Sequence, residues 1–245
     1  MNRHTRIINT ICEMYPEAEC ELNHKTAFQL LIATMLSAQT TDVRVNIVTE
    51  ELFRNYGEAD KMASIEPETL RNIIRSIGFY NSKADNIIKT SNILVEKYDS
   101  QVPDNMEDLV ELPGVGRKTA NVVLSNAFGI PAFAVDTHVK RVTYRLGLTK
   151  NTDPDLVERD ITSKIPKYLY TRAHHAIIFH GRRMCKAQKP ECERCRLTSD
   201  CNYFKNKGVN NIVKKQISKN STSINRCNAY VGRICNTFLQ YLCVR

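Results

Sequence analysis

The sequence predicts an all-α fold, and three observations carry that prediction. Apolar residues recur at helical spacing along nearly the whole chain. No stretch alternates cleanly with the period of two that a half-buried strand needs. Chain breakers are few, nine glycines and eight prolines in 245 residues, which favours helices over a turn-rich sandwich. The hydrophobic share of 42% and charged share of 25% are globular values and exclude a wholly disordered chain. No apolar run approaches the ~18 residues of a spanning helix.

The elements follow in order. Ile7, Ile8, Ile11 and Tyr15 step at helical spacing, as do Phe28, Leu31, Ile32, Met35 and Leu36. Val45, Ile47, Val48 and Leu52 mark a third helix, and Leu70, Ile73, Ile74 and Ile77 a fourth. Asn81 is placed to cap a helix over 82–98 that holds Ile87, Ile88, Ile93 and Leu94. Asp104 and Glu107 have capping-box spacing after Pro103 and open a short helix that stops at Leu112-Pro113. The next helix starts near Gly116-Arg117 and runs through Val122, Val123 and Leu124 to Gly129. Asp136 is placed to cap a helix with Val139, Val142 and Leu146; Asp153-Pro154 opens another, and 168–180 reads as helical. Residues 205–225 are polar, rich in Asn, Lys and Ser and weakly periodic, so the tail over 205–245 is expected to be disordered, although 229–244 is apolar enough for a short helix.

The net charge of +9 is unevenly placed. Residues 202–245 hold eight cations and no Asp or Glu, so residues 1–201 carry only +1. Nucleic-acid binding therefore has to be argued from local clusters and not from the basic total. The opening segment, MNRHTRIINTICEMYPEAE, has polar groups every few positions, so no secretory signal is expected. A reducing compartment is expected in turn. There, the dense group Cys185, Cys192, Cys195 and Cys201 reads as metal ligation and not as disulfides. Its spacing, C-x6-C-x2-C-x5-C, has only one short C-x2-C knuckle. Zinc ribbons usually have two, whereas three unequal loops can wrap an iron–sulfur cube; the chemistry alone leaves both open. Cys12 and Cys20 are scattered thiols, and no chemistry accounts for the eight-residue recurrence of Cys227, Cys235 and Cys243.

The most informative segment is Leu112-Pro113-Gly114-Val115-Gly116-Arg117-Lys118-Thr119-Ala120. Two helices joined by Pro-Gly-x-Gly form a hairpin whose glycines allow φ > 0 and close backbone approach. The free N–H groups of the second helix make an anion site suited to a DNA phosphate. Arg117 and Lys118 sit in that first turn, where cations oppose the helix dipole, which implies a purpose beyond folding. Eighteen residues after Lys118 comes Asp136, in Ala134-Val135-Asp136-Thr137-His138. Taken alone, an Asp before a periodic run is most often an N-cap, and a lone His is most often structural.

Together with LLIATMLSAQTTD, IGFYNSKADNI and AVDTHVKRV, these segments resemble the helix-hairpin-helix family of DNA base-excision glycosylases over about residues 1–204. The resemblance implies two helical lobes with a DNA-binding cleft between them. One is a helical barrel over 20–130, with the hairpin at about 105–127. The other combines 1–19 with 131–204 and holds one 4Fe-4S cluster on Cys185, Cys192, Cys195 and Cys201.

The resemblance also implies a bifunctional glycosylase and AP lyase of base excision repair. Its substrates would be oxidised pyrimidines or abasic sites in double-stranded DNA. Lys118 occupies the nucleophile position and Asp136 that of the essential aspartate. Gln39 matches the residue that fills the gap left by a flipped base. Phe79 stands where the family commonly has a leucine wedge. Gly114, Val115 and Gly116 would supply N–H donors, Arg117 and His138 phosphate or pocket contacts, and Lys186 and Lys189 phosphate charge. Arg182, Arg183, Arg194 and Arg196 complete the basic surround. The same reading expects a monomer in the cytoplasm, on the nucleoid in a bacterial cell, with no membrane partner. The alternatives are a relative with another base preference and a non-catalytic or redox-responsive DNA-binding protein on the same scaffold.

Overall fold

The computed structural model describes residues 1–206, and every regular element among them is helical. The tail expected to be disordered and its three cysteines fall outside the described residues, apart from a helical turn at 202–206. No described helix is long and apolar enough to cross a membrane.

Asn2 caps α1 (Arg3–Met14) by accepting the Thr5 N–H at 2.8 Å. Thr26 does the same for α2 (Ala27–Ser37), which is apolar on almost every side and buries Phe28, Leu30, Leu31, Ile32, Ala33, Met35 and Leu36. A helix buried all round belongs in the middle of a core. Around it pack α3 (Asp42–Tyr56), α6 (Tyr80–Lys97) and α8 (Arg117–Ala127), with α4 (Ala59–Ala63), α5 (Pro67–Ile73) and α7 (Met106–Glu111) filling between. A second core joins α1 to α9 (Thr137–Leu146), α10 (Pro154–Thr162) and α11 (Tyr170–Arg183). Each fully buried Leu or Ile contributes on the order of 1.5–3 kcal/mol, so α2, with Leu30, Leu31, Ile32 and Leu36, and α1, with Ile7, Ile8 and Ile11, contribute most to their cores.

Several local expectations need correction. Asn81 lies inside α6, whose cap is Phe79 in the left-handed region, φ 57°. Asn105, not Asp104, caps α7 by accepting the Asp108 N–H at 2.9 Å. Helix α5 ends at Ile73, so Ile74 and Ile77 are buried from outside it. Helix α4 was not foreseen, because five residues are too few for a periodic signal.

One non-helical segment stitches the cores together. Along 129–136, Ala132 and Ala134 face the first core while Phe133 and Val135 face the second. This is a period-two alternation, but both faces are apolar, so it leaves no alternating trace in the sequence. Polar links reinforce the junction. Asn121 on α8 donates to Phe133 O at 3.4 Å, and Arg182 on α11 pairs with Glu21 and with Asp42 (2.7 Å).

Candidate functional site

The hairpin between α7 and α8 is built as a tight corner. Gly114 has φ +80°, and a Cβ there would lie 2.9 Å from Asn86 Nδ2 and 3.1 Å from Met35 Cε. Only glycine meets both the dihedral and the packing. Gly116 corrects the expectation for its partner: its φ of −92° is ordinary, and nothing lies within 4 Å of a Cβ built there. The Val115 N–H is already engaged, donating to Leu112 O at 3.0 Å. Among the described residues, no acceptor takes the N–H groups of Gly114 and Gly116, so the hairpin offers two amides rather than three.

Arg117 and Lys118 part company in space. Arg117 forks onto Glu158 of α10, with Nε–Oε2 at 3.0 Å and Nη2–Oε1 at 2.6 Å, and approaches Asp155 at 3.7 Å. Asn121 donates to the same Glu158 at 3.0 Å. This cation therefore has a folding purpose, tying α8 to the second core, which the sequence reading missed. Lys118 is exposed and makes no ion pair among the described residues.

Lys118 lines a cleft between the two cores together with Asp136, Ser37, His174, His175 and Arg182. Asp136 caps α9: its Oδ1 accepts the Val139 N–H at 2.7 Å, while Oδ2 has no hydrogen-bond partner among the described residues. The capping reading and the functional one thus use different oxygens. His174 donates from Nδ1 to Ala134 O at 2.8 Å, and burial pushes its imidazole below the usual range. His175 sits 2.7 Å from Asn126 Oδ1 through Nε2, and burial lowers it to about 3. Both rings are therefore neutral at pH 7. Neither was singled out in the sequence, where adjacent histidines in an apolar helix carry no spacing signal.

Gln39 and Phe79 occupy two neighbouring loops, Gln39 lying two residues beyond Ser37 of the cleft wall. Both are exposed, and both adopt left-handed backbone, φ 58° and 57°. A side chain held there without glycine costs about 1–3 kcal/mol. Phe79 keeps 67% of its surface exposed, unusual for a phenylalanine that a core could have taken. His138 lies one helix turn from Arg141, whose Nη2 donates to its Nδ1 at 3.1 Å, and burial holds His138 below its ordinary value. Gly181 makes room for this ring: a Cβ there would meet His138 Cβ at 3.0 Å.

The four cysteines Cys185, Cys192, Cys195 and Cys201 line one small cavity. Leu146, Met184, Pro190 and Phe204 give it apolar walls. No three potential ligands among the described residues converge as one tetrahedral ion requires. Four thiols spread around one cavity suit a wider group with several metal corners. Burial pushes the Cys195 and Cys201 thiols up, so a cationic group is needed to hold them as thiolates. Arg141 and Arg145, one turn apart on α9, fasten the start of this loop by donating to Cys185 O (3.1 Å) and Lys186 O (2.7 Å).

The basic residues around the cysteines are mostly paired: Lys186 and Arg194 with Glu191, Arg183 with Glu17 and Arg196 with Glu13. Lys189, exposed and at φ 47°, makes no ion pair among the described residues.

The profile of the HhH-GPD superfamily of base excision DNA repair proteins matches residues 32–167, which span the hairpin, Lys118 and Asp136. Endonuclease III of Bacillus subtilis is 47% identical over 209 residues, 85% of this chain and 95% of that protein. The chain belongs to the endonuclease III family. As a member it is an enzyme, a DNA glycosylase of base excision repair. Endonuclease III of Escherichia coli K12 is 43% identical, across 83% of this chain and 97% of that one. Among solved structures, a trapped endonuclease III–DNA covalent intermediate superposes with a TM-score of 0.80 at 45% identity, over 84% of this chain and 99% of that one. A thermostable thymine-DNA glycosylase, 21% identical with a TM-score of 0.76, shares the fold. The family resemblance drawn from the sequence therefore holds, as does the all-α architecture of endonuclease III for the described residues.

Proposed function

We propose that this glycosylase is bifunctional: it removes oxidised pyrimidines from duplex DNA and cleaves the strand as an AP lyase through Lys118. What carries the reading is the meeting, in one cleft between the two cores, of a lysine on α8 and an Asp136 Oδ2 that have no partner among the described residues. DNA containing damaged pyrimidines or abasic sites lies across that cleft, with the barrel core over 20–130 on one side and 1–19 plus 131–204 on the other. The free amides of Gly114 and Gly116 hold a phosphate at the positive end of α8.

The steps then follow. The flipped nucleotide enters the cleft, and Gln39 and Phe79 occupy the gap it leaves. The neutral amine of Lys118 attacks C1′, and the bond from C1′ to the base breaks with its electron pair leaving on the base. Asp136 Oδ2 takes the proton that the nitrogen loses. The nitrogen lone pair forms the C1′=N bond of a Schiff base as the C1′–O4′ bond breaks, and O4′ takes up the proton held by Asp136. Loss of a C2′ proton then expels the 3′ phosphate by β-elimination, and water frees Lys118. His174 and His175, neutral by burial, add no positive charge of their own to oppose the developing charge on the sugar. Cys185, Cys192, Cys195 and Cys201 would hold one 4Fe-4S cluster through their thiolates, and its irons would tie together the loop beyond α11. Lys189, without an ion pair among the described residues, is placed there for a phosphate.

The test is an oligonucleotide carrying one thymine glycol, incubated with the protein and borohydride. A reduced covalent adduct is expected, and Lys118→Gln should abolish it while damaged-duplex binding persists. Undiminished trapping by the variant would place the nucleophile elsewhere.

A further inference from the structure

Lys83 stands in the first turn of α6, yet its side chain turns inward and the residue is only 9% exposed. A buried ammonium persists only where hydrogen bonds replace its water. Here Nζ donates to Leu36 O at 2.8 Å and to Ala38 O at 2.6 Å. Both carbonyls belong to the end of α2, where the last C=O groups lack helical partners and a cation is favoured. Its backbone N–H makes the first helical bond of α6, to Phe79 O at 3.1 Å, so the side chain is anchored one turn from the Phe79 cap. One residue therefore grips the carbonyl just before Gln39 and the carbonyl of Phe79 itself.

Those two residues, Gln39 and Phe79, are both exposed and held in left-handed backbone. Strained backbone of this kind survives only where its surroundings over-determine it. The two loops also touch: a Cβ on Gly78 would lie 3.7 Å from Gln39 O and 3.9 Å from Thr40 Oγ1. The ammonium is the polar tie between them, and its compact donors suit two converging carbonyls better than a planar guanidinium would.

We propose that Lys83 is a positioning residue for base excision, its ammonium locking the Gln39 loop against the Phe79 loop so that both side chains meet the duplex as one preset wedge. This rests on the reading of Gln39 and Phe79 as the groups that enter the duplex. Presetting matters because a flipped base reaches Lys118 only while its vacated place stays filled; a loosened wedge returns the base to the stack. An abasic site in a single strand has no stack to refill, so chemistry there is independent of the wedge.

The experiment compares the wild-type holoenzyme with Lys83→Met, which keeps length and removes the donors. Melting temperature reports the fold. Single-turnover excision from a thymine glycol duplex is read beside β-elimination at a single-stranded abasic site, and 2-aminopurine next to the lesion reports unstacking. Excision and the unstacking signal should slow by about tenfold or more, with single-strand elimination within about twofold.

Wild-type excision by the variant, or an equal fall in both reactions, overturns the proposal. If Lys83→Met does not fold, Lys83→Arg carries the same comparison: the split between duplex and single strand supports the proposal, and its absence overturns it. Gln39→Ala, run alongside, separates the two layers. If it slows duplex excision and Lys83→Met does not, only the proposal falls; if Gln39→Ala leaves excision untouched, the reading of the loop is wrong and takes the proposal with it.

Discussion

Asp136 is the residue where stability and chemistry can be pulled apart, because its two oxygens have different partners. Oδ1 accepts the Val139 N–H at 2.7 Å and caps α9; Oδ2 has no hydrogen-bond partner among the described residues, and Asp136 lines the cleft. Asn caps about as well as Asp, so Asp136→Asn keeps that hydrogen bond and loses only the charge at the positive end of α9. That charge contributes about 0.3–1 kcal/mol. Asp136→Ala loses the cap as well, about 1 kcal/mol more. For a domain of this size each kcal/mol shifts Tm by roughly 2–4 °C. Asp136→Asn should therefore melt within a few degrees of wild type, and Asp136→Ala measurably lower. Excision should behave differently. Removal of a positioned proton acceptor costs about 10²–10⁴ in rate, so both variants should lose single-turnover excision to a similar depth. The assay is a rapid-quench time course on a thymine glycol duplex at saturating enzyme, paired with a thermal melt. Near-wild-type excision by Asp136→Asn, with Asp136→Ala destabilised, would refute the catalytic role and leave only the cap.

Three further outcomes are expected. His175, lowered to about 3 by burial, is neutral in the fold and protonates freely when unfolded. The unfolded chain thus binds more protons, and stability is lost as pH falls from about 6.5 toward 3; between pH 7 and 5 the group accounts for about 2 kcal/mol. His175→Gln should flatten urea-derived stability over that window, and an unchanged acid profile would show that this ring is not the sensor. Purified protein should carry about four irons and four sulfides per chain. Cys195→Ser should lower iron content and melting temperature together, whereas stoichiometric zinc without sulfide after anaerobic preparation would overturn the cluster. Deleting the tail beyond Asn206 should make the slope of log K against log salt for undamaged duplex shallower by roughly 3, as if three or four cations were lost. An unchanged slope would mean that those cations do not reach DNA.

The sequence by itself determined what is settled within a few residues. Asp136 and Asp153 cap the helices they precede, because capping depends only on a side chain and the amides two or three positions on. The hairpin was legible for the same reason, since Pro113-Gly114 forces a corner whatever lies around it. Even here the grain was coarse. Asn105 won the cap from its neighbour Asp104, and Phe79 in left-handed backbone started α6 ahead of Asn81. Where two polar residues compete for one cap, the path of the incoming chain decides.

The tertiary structure decided whatever needed the chain to return. Arg117 and Lys118 are adjacent cations of the same helix turn, and nothing local distinguishes them. Glu158, 41 positions from Arg117, arrives on α10 and claims Arg117 alone, leaving Lys118 to the cleft. The segment 132–135 reads as one apolar run because both its faces are buried, and only the presence of two cores turns it into an alternation. His174 and His175 become neutral cleft walls only when α11 lies against the first core. Lys83, a cation in a polar run of helix, is drawn inward by carbonyls at Leu36 and Ala38. Local dihedral preference and capping act within one helical turn and so are written in consecutive residues. Desolvation and charge pairing depend on which distant segments exclude the water, and that is settled only when the two cores close on each other.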